Sequence, residues 1–237
     1  MQLNDYRATT GRRGFLGTLA LGAGAISIAS LSLPMRVVAA SEKLSFPADD
    51  NPDAWFNKIK GKHRIVFDVT APHEIFPFAW PRVFMMTNAM TGTPEKSCNE
   101  VVILRHEAIP YALEDSLWAK YKLGEMFKIT DPATKEPSVR NMFWKPKPGD
   151  FSVPGIGNVQ IGINELQESG AMFCACNMAL TVFSAAIAQG ANTDAGEVKK
   201  EFLAGVLPGI QVVPSGVWAV GRAQEHGCAY CFAGGAG

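Results

Sequence analysis

The chain has 237 residues, with 22 Lys and Arg balanced by 22 Asp and Glu, and 47% of its residues are apolar. That length and apolar content suit one ordinary domain with a large core. No lysine-arginine cluster stands out after residue 40, so binding to nucleic acid, which depends on phosphate neutralisation, is not supported.

Residues 1–40 have the parts of a cleavable export signal in the required order. A polar start ends in Arg12 and Arg13, and an apolar run extends from Phe15 to Leu33. Val38-Ala39-Ala40 offers small side chains to a signal peptidase, which places cleavage after Ala40. The three glycines and several serines of the run make it a weak membrane anchor. The pattern Thr10-Gly11-Arg12-Arg13-Gly14-Phe15-Leu16 resembles the twin-arginine motif, with Gly17 where that motif often has lysine. The resemblance implies the twin-arginine translocase as a partner during export and a periplasmic or otherwise exported location. The four arginines and one aspartate of the signal leave 18 basic and 21 acidic side chains in residues 41–237, a net charge of −3.

Residues 41–62, polar and with two prolines, are expected to form a leader on the surface. His63–Val69 is short, apolar and β-branched, as in a buried strand. Residues 76–90 are dense enough in apolar side chains for a helix, interrupted early by Pro81. Residues 100–105 form the clearest strand, and residues 112–123 show helical spacing. Residues 128–155 carry five prolines and no sustained period, which predicts a long surface insertion. Helical spacing resumes over 159–169 and ends at Gly170. The order then alternates: strand 171–176, helices 179–188 and 195–204, strand 209–213, helix 217–225 and strand 228–232. Strands separated by helices predict a three-layer α/β domain with a mostly parallel sheet of about five strands, occupying residues 41–237.

Open parallel sheets bind ligands beyond the C-terminal ends of their strands. Those ends offer Thr70 and His73; Arg105, His106 and Glu107; Cys176 and Asn177; and Pro214 and Ser215 leading into Gly216. A thiol at a strand end, followed at once by a helix, meets backbone N–H groups and the positive end of a helix dipole, and both favour a thiolate. Arg105 or His106 nearby would add to that, with Glu107 as a neutralising partner for Arg105. The alternative for Cys176 is a small buried apolar residue. Five cysteines, at 98, 174, 176, 228 and 231, leave at least one unpaired within the chain. The two close pairs, Cys174/Cys176 and Cys228/Cys231, suggest zinc or an iron–sulfur cluster. Residues three apart on a strand face opposite sides, however, so Cys228 and Cys231 are poorly placed to share an ion, and no resident metal or cofactor is expected. A disulfide between the two pairs is open if their Cα atoms lie within about 7 Å.

The segment Val101–Leu113 resembles the second strand and loop of the DsrE/DsrF-like sulfur-relay family. Leu166–Asn177 is similar to that family's helix, glycine and strand ending in a cysteine. Pro208–Val217 and Arg222–Gly227 resemble its closing strand–helix–strand. Together these cover roughly residues 63–232 apart from the proline-rich insertion. The resemblance implies a flavodoxin-like fold, a homo-oligomer (trimer or hexamer), and a strand-end cysteine that accepts sulfur as a persulfide and hands it to a partner protein. Cys176 is the matching position. On this reading Cys176, Arg105 and His106 carry the chemistry, and Asn177, Ser215 and His73 are candidates to bind the substrate. The other reading is a non-enzymatic protein that binds a small ligand or metal, or supports assembly, on the same fold without sulfur transfer.

Overall fold

A computed structural model describes residues 51–235. The expected export signal and the first half of the expected leader lie outside these residues. A parallel sheet is built from β1 (His63–Val69), β2 (Cys98–Leu104), β5 (Met172–Cys176), β6 (Ile210–Val213) and β7 (Ala229–Phe232) in the order β6-β5-β2-β1-β7. All four pairings are parallel. A separate hairpin joins β3 (Ser152–Val153) to β4 (Gly157–Asn158). The helices are α1 (Pro52–Phe56), α2 (Phe76–Met90), α3 (Asp115–Tyr121), α4 (Leu123–Met126), α5 (Ile163–Glu168), α6 (Asn177–Ala191), α7 (Ala195–Ala204) and α8 (Gly216–Glu225).

The strand order decides which face each helix covers. From β1 through β2 and β5 to β6 the chain steps repeatedly in one direction, and from β6 to β7 it returns across the whole sheet. Right-handed crossovers therefore put the helices of the first three connections on one face and α8 on the other. The core divides accordingly. Phe67, Val69, Val102, Leu104, Phe173 and Ala175 pack into a large cluster with Phe78 of α2 and Leu180 and Ile187 of α6. Val66, Val101, Ile103 and Cys174 pack on the other face with Trp55 and Phe56 of α1 and Ala219 and Ala223 of α8. The result is a three-layer, flavodoxin-like α/β domain, as the element order predicts.

Several local expectations change. Pro81 does not interrupt α2; it is buried inside a continuous helix, which gives up one backbone hydrogen bond there. Residues 51–62 are mostly exposed, but they are more than a surface leader, because Trp55, Phe56 and Ile59 complete the second core cluster. The helix expected over 112–123 is divided where Lys122 takes a left-handed φ of 49°. Residues 128–155 are mostly exposed, as expected of a surface insertion, but they are also anchored inward. They bury Ile129, Met142, Phe143 and Phe151 in the main core. The aperiodic backbone is held by specific polar contacts instead: Asn141 Nδ2 donates to the Tyr111 and Leu113 carbonyls at 2.9 and 3.0 Å, and Arg140 Nε meets Asp131 Oδ2 at 2.7 Å.

One buried group stands out on β2. Glu100 shares a face with Val102 and Leu104, is fully buried, and neither carboxyl oxygen has a hydrogen-bond partner among the described residues. Burial pushes its pKa from 4.5 to about 8; Arg82 opposes the rise and Glu95 adds to it.

Candidate functional site

Adjacent strands whose following helices lie on opposite faces leave a crevice between their C-terminal ends. Here β5 runs into α6 on one face and β6 into α8 on the other. Cys176 closes β5, and Gly216 opens α8 three residues after the end of β6.

Alternation along the strands assembles the rest. Asp68 lies two residues after Val66, and Arg105 two after Ile103, so both continue the α8-covered face to its C-terminal rim. Arg105 Nε and Nη2 donate to Asp68 Oδ1 and Oδ2 at 2.6 and 2.8 Å, a two-point clamp. Tyr230 on β7 donates its hydroxyl to Asp68 Oδ2 at 2.9 Å. The Asp68 side chain is only 3% exposed and that of Arg105 25%. The hydrogen bond to Asp68 raises the Arg105 pKa further, against the lowering effect of burial. The register that pairs Leu104 with Ala175 brings Arg105 and Cys176 to adjacent strand ends.

Arg105 is also held from behind. A Cβ on Gly216 would fall 2.5 Å from Arg105 Cβ and 2.6 Å from its Cδ, so the arginine stem lies directly on the first residue of α8. Glycine is needed there for close approach. The expected partner Glu107 is exposed and makes no ion pair among the described residues; Asp68 neutralises Arg105 instead.

Cys176 is the N-cap of α6, and its Sγ accepts the Ala179 N–H at 3.3 Å. The residue is 6% exposed. A sulfur at this place faces an unpaired helix-terminal N–H and the positive end of a 15-residue helix. Cys174 lies fully buried on the opposite core face from Phe173 and Ala175, where burial holds its thiol far above the usual range. Cys228 is buried too, and its pKa is pushed up to about 11 against the lowering effect of Arg64. Cys231 sits opposite Phe67 and packs toward the main core, whereas Cys228 packs into the second, so the two do face opposite sides. All five cysteines are unpaired thiols, and no group of three or more His, Cys, Asp or Glu is placed to hold a metal among the described residues.

The other candidates divide. His106 is exposed, begins a 3-10 turn (His106–Ala112) with φ 50°, and its ring centroid lies 6.2 Å from that of Phe183 on α6. Asn177 opens α6 beside Cys176, and its carbonyl accepts the Thr181 hydroxyl at 2.8 Å. Ser215 caps α8, its Oγ accepting the Trp218 N–H at 3.1 Å, which gives its hydroxyl a structural task. His73 stands apart, its ring 5.0 Å from Phe76 and 5.8 Å from Trp80. Its buried Nδ1 has no partner among the described residues. Sequence reasoning passed over Asp68 and Tyr230. The available signal was a lone aspartate near the end of an otherwise apolar strand.

The fold and these residues define a parallel three-layer α/β domain with a capped thiol and a clamped arginine at its strand ends. No family model and no curated protein matches the chain. Among solved structures, it is similar to the protein of unknown function MTH1491 from Methanobacterium thermoautotrophicum, at 19% identity and a TM-score of 0.36, over 72% of this chain and 99% of that one.

Proposed function

We propose that this protein is an exported sulfur carrier in which Cys176 holds sulfur as a persulfide. The observation that carries the reading is the placement of Cys176 Sγ at the N-terminus of α6, against the Ala179 N–H and on the strand end adjacent to that of Arg105. A thiolate is the form that attacks a sulfane donor, and an N–H donor and a cation are groups able to hold the charge of the transferred sulfur. In the loading step the thiolate attacks the terminal sulfur of a polysulfide. An S–S bond forms at Cys176, the donor's S–S bond breaks, and the donor leaves as an anion one sulfur shorter, so no external oxidant is consumed. Asp68 keeps Arg105 in place and charged throughout. Low exposure at Cys176 shields the loaded sulfur from solvent reductants. Asn177 and His106 stand beside these residues as contacts for the donor or acceptor protein.

Export rests on the Arg12-Arg13 signal, and assembly as a homo-oligomer on the sulfur-relay resemblance. The test is whole-protein mass spectrometry after incubation with polysulfide and removal of excess donor. The wild type gains one reducible sulfur atom and Cys176→Ala gains none. Equal gain by both proteins would refute the proposal.

A further inference from the structure

A second site lies on the other side of the sheet from the Asp68–Arg105 clamp. A cavity of about 630 Å³ opens between the loop after β1, the turn after β2 and residues 128–152. That volume is within the range of small-molecule pockets, roughly 300–1,000 Å³. Its apolar lining comes from Ile129, Met142, Phe143 and Phe151, all at most 9% exposed and part of the main core. The floor is thus part of the packed core, with two aromatic rings among its four side chains.

The polar lining carries charges of both signs, with both cations on the segment 128–135. Lys128 and Lys135 line the cavity, and neither forms an ion pair among the described residues. Tyr111, 1% exposed, lines it as well, and its hydroxyl has no hydrogen-bond partner among the described residues. Two acidic residues, Glu74 and Asp150, are also present, but Asp150 Oδ2 already accepts the Lys147 N–H at 2.9 Å within its own turn. Both lysines take left-handed backbone angles, φ 54° and 64°, a conformation that costs energy for a residue with a side chain. The wall that carries them is tied down by Ile129 N–H to Gly124 O and Lys135 N–H to Asp131 O, each 2.8 Å, and by the Arg140–Asp131 pair.

We infer that this cavity binds an aromatic acid, with its ring on Phe143 and Phe151 and its anionic group toward Lys128, Lys135 and the Tyr111 hydroxyl. The site is independent of the sulfur chemistry proposed for Cys176.

The fluorescent probe 8-anilinonaphthalene-1-sulfonate has the required chemistry, and its neutral and cationic counterparts are N-phenyl-1-naphthylamine and thioflavin T. Full-length protein, shown to be folded by near-ultraviolet dichroism, should bind the sulfonate at one equivalent and more tightly than the cationic dye. The double variant Lys128→Ala/Lys135→Ala should weaken the sulfonate about fivefold to tenfold and leave the neutral probe within about twofold. Ser152→Trp, at an exposed lining position, should weaken both by filling the space. Cys176→Ala should change neither. Non-saturating sulfonate binding, preference for the cationic dye, or a double variant that binds the sulfonate as the wild type does would each overturn the inference.

Discussion

Glu100 makes the stability of this domain fall as pH rises across the neutral range. The folded protein holds its proton up to about pH 8, against about 4.5 for the unfolded chain, where the carboxyl is in water. Below 4.5 both states are protonated and the group contributes nothing to the pH dependence. Between the two values the folded state binds one proton more, so stability drops by about 1.4 kcal/mol per pH unit. Above about 8 both states are ionised and the drop is complete. Across the interval the loss from this one group is about 5 kcal/mol, comparable with the whole stability of a small domain. Glu100→Gln keeps the shape and removes the proton. Urea unfolding of both proteins, followed by tryptophan fluorescence at half-unit steps from pH 5 to 8.5, isolates the group because all other titrations are shared. The variant should be slightly less stable at pH 5 and several kcal/mol more stable at pH 8. A wild-type-minus-variant difference that stays constant over this range would refute the burial argument for Glu100.

Asp68→Ala removes the acceptor for Arg105 and Tyr230 and leaves a half-buried cation unpaired; urea unfolding should show a loss of about 3 kcal/mol. A loss under 0.5 kcal/mol, on the order expected of an ordinary surface substitution, would contradict the clamp. Gly216→Ala places a methyl group against the Arg105 stem and should cost about 1–3 kcal/mol while slowing sulfur uptake at Cys176, read as the rate of mass gain. Phe143→Ala should cost about 3–5 kcal/mol in the same unfolding assay, because the residue is 1% exposed; a cost near zero would contradict the anchoring of residues 128–155 in the core.

The parts of the fold that were legible in the sequence are those with a regular period. β1, α2 and α7 have the bounds read from their apolar spacing, and the alternation of strands and helices carried the parallel sheet. Opposed faces for Cys228 and Cys231 followed from the two-residue repeat of a strand. The inward anchoring of residues 128–155 was not legible because it comes from side-chain contacts distant in sequence. Asn141 reaches the Tyr111 and Leu113 carbonyls, and once that backbone is held, Phe143 and Phe151 reach the core without any periodic pattern. In the site, strand-end positions drew attention to Arg105 and Cys176. The partner of Arg105 depended on strand register, which sets Val69 beside Leu104 and so brings Asp68 to the same rim; that pairing is set by topology, not by local composition. The close approach of Gly216 to Arg105 likewise appears only once α8 is placed over the sheet.

The central claim is that one thiol of the five, Cys176, is set apart by its surroundings. Peptide-level mass spectrometry of the polysulfide-treated wild-type protein, with persulfides blocked before digestion, tests it most directly. Cys174 and Cys176 fall on one peptide, but fragmentation at Ala175 separates them. The added sulfur is predicted on Cys176, with Cys174 and Cys228 unmodified. Sulfur concentrated on Cys231, the most exposed of the thiols, or spread evenly over the five, would contradict the account.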